Sequence, residues 1–488
     1  MKYLKELIEE IEILETLNFN NNLIKGITNN SLEIKKDFLF CALRGTSTDG
    51  NLFIPQAIYN GASTILTDVF PKTIHSGITY LIVDDARKAM ALISKKFYDY
   101  NRLKSKIIGV TGTNGKTTIT FLISSLLKNL GYTTAVIGTT GIYLNNDKLP
   151  TTHTTPESVR LYEIFDKINS FGIDYIIMEV SSHSLVQKRV YGVEFDLAIF
   201  TNLTPDHLDY HETMDNYAKA KKILFDSLKP SAISIINSDD AYSDFIVSNL
   251  PANQIVRVGT NTNSDYILKP IKSSIKGVEF NLLHPKSNQT YYIQANLIGE
   301  FNIWNLALAL VATSFLGNDL SKLVEFTDKL IAAPGRMEII KLKNDAIGVV
   351  DYAHTPDALE KVIKTLNNLK NGGKLITVFG CGGDRDKSKR PLMGCIASVL
   401  SDKVIITNDN PRTENPDNII QEILQGVDKA FFHKIDIIPD RRLAIQTAIN
   451  KSTKGDIVLV AGKGHEKYQI FGNEKIHFDD IEELKKFV

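Results

Sequence analysis

Apolar and polar positions alternate along the chain in a way that divides it into three successive α/β blocks. In the first block, residues 1–104, short apolar runs are separated by polar turns and by segments with apolar residues at helical spacing. Segment 1–19 carries charges among its apolar positions, which predicts an amphipathic helix rather than a signal peptide. The elements predicted after it are strand 37–43, helix 53–59, strand 63–67, strand 79–83 and helix 86–98.

The second block, residues 105–333, continues the alternation of strands and helices. Such alternation is typical of a mainly parallel sheet with helices on both faces. Two alternating runs, 265–283 and 289–297, are joined by a polar turn and predict an antiparallel addition to that sheet. The strands are predicted at 107–111, 134–138, 174–180, 196–201 and 232–236, and the helices at 117–130, 157–170, 214–226 and 302–316.

The third block, residues 334–488, has the spacing of a doubly wound sheet. Its strands are predicted at 346–352, 374–379, 403–408, 435–438 and 456–461. Polar residues gather just after four of these strands, at Asp351, 380–390, 408–412 and 462–466. Ligands of open α/β sheets bind at the carboxyl ends of the strands, so these residues are candidates for a ligand site.

Length and charge narrow the function classes. A chain of 488 residues is expected to form about two to four domains. Lys and Arg number 56, as do Asp and Glu, so no basic surplus indicates a nucleic acid or a membrane as partner. No apolar run reaches the roughly 18 residues that a membrane span needs. Cys41, Cys381 and Cys395 are few and unpatterned, which indicates reduced thiols in the cytoplasm and no metal site.

The segment 106–118, KIIGVTGTNGKTT, has the strand–loop–helix pattern of a phosphate-binding loop. Gly112 and Gly115 would let the backbone approach an anion, which the dipole of the new helix also favours. Lys116 would contact the β- and γ-phosphates, and the Thr117 hydroxyl would face Mg²⁺.

The match to the strict phosphate-loop pattern is incomplete, because Val110 stands where the first glycine belongs. The alternative is a structural turn with an incidental lysine. The position of Gly-Lys-Thr between a strand and a helix favours the phosphate-binding loop.

Two further polar clusters follow predicted strands, at 178–184 and 201–211. Both are expected at the same sheet edge as the phosphate loop. Glu179 and Thr117 could therefore share a hard cation, which prefers oxygen ligands. His207 would be an unusual but possible ligand of Mg²⁺ or Mn²⁺.

The same clusters allow other interpretations. His183 and His211 are expected to position neighbours or to be satisfied polar residues. A hydrolase with Ser181 or Ser182 as nucleophile is the weaker alternative, because no Gly-x-Ser-x-Gly elbow is present.

The third block places arginines after successive strands, at Arg385 and Arg412. Arginine captures carboxylates and phosphates with two parallel hydrogen bonds. The alternative is a pair of surface salt bridges. At the last strand end, the Gly-rich segment 462–466 adds Glu466, whose carboxylate could hold a substrate ammonium.

Taken in chain order, these motifs resemble the Mur ligase family, and within it the UDP-N-acetylmuramoyl-tripeptide synthetases, which add the third residue of the peptidoglycan stem peptide. The resemblance covers nearly the whole chain. The motifs are TGTNGKTT (111–118), HTTPES (153–158), EVSSHSL (179–185), NLTPDHLDYH (202–211), YAKAK (217–221), GEFNIWN (299–305), PGRME (334–338), DYAHTPD (351–357), GCGGDRDKSKRPLMG (380–394), DNPR (409–412) and GKGHE (462–466).

The resemblance implies a three-domain α/β architecture. A UDP-sugar-binding domain (1–104) precedes a central P-loop ATPase domain with a mainly parallel sheet (105–333). A Rossmann-like domain (334–488) binds the incoming amino acid. The family's usual Asp-Ser-Arg in the first domain reads Asn30-Ser31-Leu32 here.

The resemblance also implies the residues of each site. UDP-MurNAc-dipeptide is expected at Ser31, Thr46, Ser47, Thr48, Thr154, Thr155, Ser181, Gln187 and Arg189. ATP is expected at Gly112, Thr113, Asn114, Gly115, Lys116, Thr117, Thr118, Asn302, Asn305, Arg336, Asp351 and His354. Diaminopimelate is expected at Arg385, Asp409, Asn410, Pro411, Arg412, Gly462 and Glu466. The catalytic residues are expected to be Lys116, Lys221, His207 and Glu179, with a pair of Mg²⁺ ions held by Thr117, Glu179, His207 and Lys221.

Lys221 has two interpretations. From the sequence alone it is one of three lysines on a helix, with Lys219 and Lys222, and a solvated face is the better prediction. The resemblance implies instead that Lys221 is carbamylated, which would give Mg²⁺ two hard oxygens.

The implied reaction is ATP-driven ligation through an acyl phosphate, with UDP-MurNAc-L-Ala-D-Glu and meso-diaminopimelate as substrates. The DNPR motif resembles the diaminopimelate-adding branch, and the ATP site would be complete only when the domains close. The enzyme is expected to be a cytoplasmic monomer without nucleic acid or membrane partners. The alternatives are an L-lysine-adding ligase, a folylpolyglutamate synthase-like ligase, and a nucleotide-gated binding protein that forms no amide.

Overall fold

Buried apolar strands alternate with amphipathic helices through most of the chain. The computed structural model describes residues 1–45, 48–145, 147–151, 153–330, 332–370 and 372–488. The chain forms two compact units, each assembled from separate segments. The first unit comprises Met1–Thr111, Gly131–Ala198 and Lys219–Ala232, and the second comprises Gly112–Leu130, Ile199–Ala218 and Ile233–Val488.

The N-terminal part of the first unit is a five-stranded sheet with helices against it. Its strands lie in the order Glu15–Leu17, Thr79–Ile82, Ala62–Thr67, Phe38–Ala42 and Gly26–Thr28, and only the first pair is antiparallel. The α-helices are Leu4–Leu7, Ile54–Tyr59 and Ala86–Phe97, and the 3-10 helices are Ser31–Glu33, Gly50–Phe53 and Tyr100–Arg102. These elements confirm the strands and helices predicted between residues 37 and 98.

The amphipathic helix predicted for 1–19 is wrong. Only Leu4–Leu7 is helical, between the short strands Lys2–Tyr3 and Glu15–Leu17. The second strand pairs with Thr79–Ile82, more than sixty residues further along the chain. Leu4 and Leu7 still reach the core, so their apolar spacing reflects burial, while strand pairing decides the conformation of the later residues.

A second sheet in the first unit carries the strand that ends at Glu179. Its strands lie in the order Asp147–Leu149, Gly141–Leu144, Thr134–Gly138, Tyr175–Glu179 and Lys106–Thr111. The first two pairings are antiparallel and the last two parallel, so the strands Thr134–Gly138, Tyr175–Glu179 and Lys106–Thr111 share one direction. Two helices also lie in this unit, Ser158–Ser170 and Ser182–Val186. Two further elements have residues in both units, namely strand Leu197–Phe200 and helix Met214–Asp226.

The second unit begins with the helix Lys116–Asn129, which packs against Phe301–Phe315. A run of neighbouring strands follows in the order Ile233–Asn237, Ile255–Gly259, Tyr266–Ser274, Gly277–His284 and Gln289–Ala295. The last three are antiparallel neighbours, which confirms the predicted antiparallel addition. The first predicted run is nevertheless two strands, because the chain reverses between Ser274 and Gly277.

The C-terminal sheet confirms the predicted strands of the third block. Its order is Glu338–Lys341, Ile347–Asp351, Ile457–Ala461, Leu375–Phe379, Lys403–Ile406 and Ile435–Ile437, and all pairs except the first are parallel. Apolar cores cover both faces. The helices are Pro356–Leu369, Lys389–Leu400, Pro416–Leu424, Arg441–Lys451 and Asp480–Lys485, and a hairpin joins Tyr468–Phe471 to Glu474–His477.

The remaining elements are short. They are strand Leu23–Ile24, α-helices Leu208–His211, Ser243–Ile246 and Leu320–Val324, and 3-10 helices Ala252–Gln254, Pro285–Ser287, Thr327–Lys329 and Lys429–Lys434. Within the described residues, none of the helices combines the length and the hydropathy that a bilayer span requires.

Candidate active site

The loop at residues 112–115 has the backbone shape that the sequence predicts for phosphate binding. Gly112 has a φ of 147°, and a Cβ there would lie 1.8 Å from Oγ1 of Thr201. Gly115 has a φ of 88°, and a Cβ there would lie 2.5 Å from Oδ1 of Asn305. Both positions therefore require glycine, for conformation and for space.

The segment after strand Leu197–Phe200 clamps this loop. The main-chain N–H of Asn114 donates to Oδ1 of Asn202 at 3.0 Å, and its carbonyl accepts from the Thr201 hydroxyl at 2.6 Å. The Thr113 hydroxyl donates to the Thr204 carbonyl at 3.2 Å and accepts from the Thr204 N–H at 3.0 Å. The loop is thereby held open in a fixed shape, which suits an anion site.

Two cationic side chains converge on the start of the helix after the loop. Nζ of Lys116 donates to the carbonyls of Gly112 and Thr113, at 2.8 and 2.9 Å. Nη2 of Arg336 lies 3.4 Å from the Thr117 hydroxyl. Among the described residues, the buried Nε of Arg336 has no hydrogen-bond partner. A buried N–H donor of this kind, beside the loop, could donate a hydrogen bond to a phosphate oxygen.

The two predicted asparagines are buried beside the loop. Nδ2 of Asn305 donates to Oδ1 of Asn302 at 2.9 Å, and Nδ2 of Asn302 donates to the Ile298 carbonyl at 2.7 Å. Thr118, the last predicted ATP residue of the loop, is also buried. The structure therefore brings the predicted residues 112–118, Asn302 and Asn305 together.

Asp351 has both carboxylate oxygens engaged by the main chain. They accept from the N–H groups of Met337 and Ala353, each at 2.8 Å. Burial raises the pKa of Asp351, and the nearby cation of Arg336 opposes that rise. Asp351 thus fixes the loop that carries Arg336.

His354 lies at the edge of the same region. Its Nδ1 is 3.0 Å from the Tyr352 carbonyl, and its own carbonyl accepts from Nζ of Lys389 at 2.9 Å. Although His354 as a residue is exposed, desolvation by its neighbours and then the charge of Lys389 lower its pKa to about 4. The guanidinium of Arg336 stacks on the ring of Tyr352 at 4.8 Å, which links these residues to the ATP candidates.

In the first unit, the predicted muramoyl-dipeptide residues form one hydrogen-bonded cluster. Arg189 donates to the Thr155 carbonyl at 3.0 Å and to Oε1 of Gln187 at 2.6 Å. The Ser181 N–H donates to the Thr155 hydroxyl at 3.1 Å. The hydroxyl of Thr154 lies 3.0 Å from that of Thr139, at the border of the cluster.

Glu179 ends its strand as a buried carboxylate in the same unit. Its oxygens accept from the N–H and the hydroxyl of Thr139, at 3.0 and 3.1 Å. Lys221, also in this unit, is only 1% exposed, whereas Lys219 is exposed. The solvated face that the sequence alone favours for Lys221 is therefore wrong.

The second polar segment of the middle block places its histidines differently. His211 is buried and stacks on the ring of Tyr217 at 5.0 Å, which fits a positioning role. His207 is half-exposed, with a φ of 55°, and its Nε2 is 3.5 Å from Asp206. Within the described part of the chain, no group of three or more His, Cys, Asp or Glu residues is arranged to hold a metal ion.

The predicted UDP-sugar residues of the first domain lie apart from these clusters in the sequence. Ser31 is buried and donates to Oε1 of Gln56 at 2.9 Å. The Thr48 carbonyl accepts from the Gly45 N–H at 2.9 Å. Thr46 and Ser47 lie outside the described residues.

At the carboxyl edge of the C-terminal sheet, Arg412 has an unusual backbone with a φ of 54°. Its N–H donates to the Ile470 carbonyl at 3.0 Å, and its Nη1 donates to the Gly383 carbonyl at 2.7 Å. Arg385 donates to the Asp384 carbonyl at 3.0 Å. Among the described residues, neither guanidinium forms an ion pair with a carboxylate, so the surface salt bridges considered from the sequence are absent.

Beside Arg412 lies a buried charged cluster. The fully buried ammonium of Lys463 is 3.0 Å from Oδ1 of Asn410, 3.4 Å from Glu466 and 3.6 Å from Asp409. Asn410 donates to Glu466 at 2.8 Å. Two carboxylates against one ammonium leave a net negative charge that suits a ligand cation. Gly462 and Pro411 belong to the two loops that carry these residues.

The cluster shifts the pKa of each carboxylate differently. Burial alone would raise the pKa of Asp409, but the cations of Lys463, Arg441 and Arg412 lower it below its usual value. Burial raises the pKa of Glu466, an effect that Lys463 opposes and the charge of Asp409 increases.

Comparison with known proteins identifies the family. A model of the Mur ligase middle domain matches residues 110–313, and a model described as "Mur ligase, glutamate ligase domain" matches residues 335–464. UDP-N-acetylmuramoyl-L-alanyl-D-glutamate–2,6-diaminopimelate ligase 1 of Clostridium acetobutylicum is 41% identical over 490 residues, which cover 99% of each chain. This chain belongs to the Mur ligase family.

Solved structures agree with that assignment. One UDP-N-acetylmuramoyl-L-alanyl-D-glutamate–2,6-diaminopimelate ligase structure is 37% identical, with a TM-score of 0.70 over 100% of this chain and 98% of that one. The MurF ligase of Thermotoga maritima in complex with ADP is 21% identical, with a TM-score of 0.60 over 91% and 95% of the two chains, and shares the fold. The chain therefore has the α/β, three-domain Mur ligase architecture, with a central P-loop ATPase domain and a Rossmann-like C-terminal domain.

Several residues that shape this Mur ligase site were missed by sequence reasoning. The phosphate-binding loop is held by hydrogen bonds with Thr201, Asn202 and Thr204. From the sequence, the motif that contains these residues indicated only a polar cluster. Lys463 lies within the GKGHE motif, but nothing in the sequence showed that its ammonium is buried between carboxylates.

Proposed function

We propose that this chain ligates meso-2,6-diaminopimelate to UDP-MurNAc-L-Ala-D-Glu with ATP, in the synthesis of peptidoglycan precursors. The proposal is carried by the guanidinium of Arg412, which the main chain holds beside the anionic cluster of Glu466 and Asp409. Among the residues that the structure describes, no carboxylate forms an ion pair with this guanidinium. A cation and an anionic cluster side by side match the carboxylate and the ammonium of an amino-acid group.

The second substrate, ATP, fits the loop at residues 112–118. Main-chain N–H groups at the helix start, the ammonium of Lys116 and the buried Nε of Arg336 would face the triphosphate. The side-chain carboxylate of the D-glutamate attacks the γ-phosphate, which gives an acyl phosphate and ADP. A neutral amine of diaminopimelate then attacks the acyl carbon, and phosphate leaves. The cations stabilise the charge that develops on the transferred phosphoryl group.

We propose that Mg²⁺ ions are held by Thr117, Glu179, His207 and a carbamylated Lys221. The chemistry of the donors supports this set, because Glu179 is a buried carboxylate and the side chain of Lys221 is buried in the same unit of the chain. A carbamate would replace the lysine ammonium with two hard oxygens. When bound, the ions would neutralise phosphate charge.

The remaining residues are assigned to the acceptor. They would bind the muramoyl-dipeptide, since Arg189 is hydrogen-bonded to the Gln187 side chain and the Thr155 carbonyl, and the Thr155 hydroxyl accepts from the Ser181 N–H. The set is Thr154, Thr155, Ser181, Gln187 and Arg189. Ser31 and residues 46–48 would bind the UDP-sugar. The corresponding domains would be 1–104, 105–333 and 334–488.

The cellular location and the binding partners are inferred from the substrates and the cysteines. We propose a cytoplasmic monomer that binds small molecules and neither nucleic acid nor membrane. The three cysteines are unpaired, two of them buried, as expected of a reducing compartment. Equal numbers of basic and acidic residues give no electrostatic reason to bind nucleic acid.

Phosphate release tests the proposal when UDP-MurNAc-L-Ala-D-Glu and candidate amino acids are added separately and together with Mg·ATP. We expect sustained release only with the UDP-dipeptide and diaminopimelate together. Release with lysine would favour an L-lysine-adding ligase, and release with a folate and glutamate would favour a folylpolyglutamate synthase. Release without any acceptor would favour a nucleotide-gated binding protein.

A further inference from the structure

One carboxylate of the C-terminal part of the chain reaches the phosphate loop. Oδ2 of Asp357 accepts from Nδ2 of Asn114 at 3.1 Å, from the Thr204 hydroxyl at 3.2 Å and from Nζ of Lys361 at 2.9 Å. Asp357 lies in the first turn of the helix Pro356–Leu369, which follows a strand of the C-terminal sheet. The proposed reaction assigns no task to this residue.

We propose that Asp357 is a positioning residue that ties the C-terminal sheet to the phosphate loop and thereby sets the affinity for nucleotide. The inference rests on the proposed function only in that the loop binds ATP. Asp357 itself is not expected to touch the phosphates.

The geometry of Asn114 supports this role. Its main-chain N–H and carbonyl are already held by Asn202 and Thr201, so the conformation of its peptide is fixed within the central part of the chain. Its side-chain amide instead reaches Asp357, with Thr204 close to both at 3.5 Å from Nδ2. The clamp on the loop is therefore completed from the C-terminal helix.

The charges also suit a positioning role. A lone carboxylate near a triphosphate would repel it. The ammonium of Lys361 lies against the same oxygen, so the charge of Asp357 is locally compensated. A charged acceptor makes stronger hydrogen bonds than a neutral one, although partial exposure to solvent reduces their contribution here.

A purely structural role is the competing explanation. A carboxylate in the first turn stabilises a helix through the helix dipole, and Asp357 would do so without contacting the loop. That role predicts a lower melting temperature with no specific effect on nucleotide binding, and no energetic coupling to Thr204.

The experiment uses the full chain and measures Mg·ADP binding by calorimetry together with the melting temperature. The variants are Asp357→Asn, Thr204→Val and the double variant. Glu360→Gln is the matched control, because Glu360 is on the same helix and, within the described part of the chain, forms an ion pair only with Lys364, at 2.5 Å. We expect Asp357→Asn to weaken ADP binding about 3- to 10-fold. The double variant should bind ADP with nearly the same affinity as whichever single variant binds it less tightly, because the two side chains act through one shared contact. Glu360→Gln should bind as the parent does.

Three results would overturn the inference. The first is an ADP affinity in Asp357→Asn equal to that of the parent protein. The second is a loss of affinity in the double variant equal to the product of the losses in the two single variants. The third is a loss of affinity in Glu360→Gln as large as that in Asp357→Asn. Because ADP binding is measured without the other substrates, these results are distinct from a failure of the proposed ligation, which would show as no diaminopimelate-dependent phosphate release by the parent enzyme.

Discussion

Nη1 of Arg412 donates to the main-chain carbonyl of Gly383 at 2.7 Å, so that the guanidinium is fixed across two strand-end loops of the C-terminal sheet. Arg385 extends from the same neighbourhood: a Cβ on Gly382 would lie 2.9 Å from Nη1 of Arg412 and 3.8 Å from Cγ of Arg385. Fixing the guanidinium in advance lowers the entropy cost of binding a carboxylate.

Arg412→Ala should raise the KM for diaminopimelate sharply and leave the KM for ATP unchanged. Loss of one partner of a buried charge pair costs about 2–5 kcal/mol, so an increase of at least roughly 30-fold is expected. Steady-state kinetics with each substrate varied in turn measures both constants. Arg442→Ala, an exposed arginine of the same domain, is the control. Equal increases in both KM values would contradict the assigned role.

Gly115→Ala should abolish tight nucleotide binding. The new Cβ would lie 2.5 Å from Oδ1 of Asn305, in a backbone conformation that costs an alanine about 1–2 kcal/mol. Gly131→Ala is a matched control, because Gly131 follows the same helix, has a φ of 91° and has nothing within 4 Å of its Cβ position. Calorimetry with Mg·ADP should therefore show at least about tenfold weaker binding only for Gly115→Ala. Similar affinities in the two variants would argue against close packing around the loop.

Lys221→Met should lower ligation about 10²–10³-fold, the loss typical of removing one group that stabilises charge in the transition state. The measurement specific to the carbamate is a ¹³C resonance after incubation with ¹³C-bicarbonate. We expect the parent protein to show it and Lys221→Met to lack it. Lys222→Met, which removes a lysine that pairs with Asp226 on the same helix, should keep it. A parent protein without the resonance, yet fully active, would exclude the modification.

The Glu414–Arg390 pair predicts how acid affects the C-terminal domain. Hydrogen bonds from Arg390 lower the pKa of Glu414 from 4.5 to about 2 in the folded protein. Its contribution to stability is therefore complete above about pH 4.5 and is lost as the pH falls through about 2. Glu414→Gln should show a smaller decline of melting temperature over this window than the parent, in thermal unfolding followed at a series of pH values. Parallel declines would show that the pair contributes no pH dependence.

The strands and helices of the three blocks were predictable because their apolar runs and glycine positions are local signals. Segment 1–19 was not, since the partner of its strand Glu15–Leu17 lies more than sixty residues away. The hairpin Tyr468–Phe471 was likewise missed, because its partly exposed residues lack a clear alternation.

The residues of the candidate site likewise divide into those that could be predicted from local sequence and those that could not. Gly112, Gly115 and Lys116 were predictable because the chemistry of a phosphate loop depends on residues next to one another. The burial of Lys221 and of Lys463, and the reach of Asp357 to Asn114, depend on residues brought together by the fold. No local pattern reports such contacts.

The central claim is that the chain selects an amino acid by the carboxylate at its far end. Competition between equal concentrations of meso-diaminopimelate and L-lysine, with UDP-MurNAc-L-Ala-D-Glu and Mg·ATP, tests it directly when the UDP-tripeptide products are resolved by mass. Lysine lacks only that carboxylate and would leave Arg412 unpaired, so the diaminopimelate product should exceed the lysine product by at least roughly 30-fold. Comparable amounts of the two products would contradict the account.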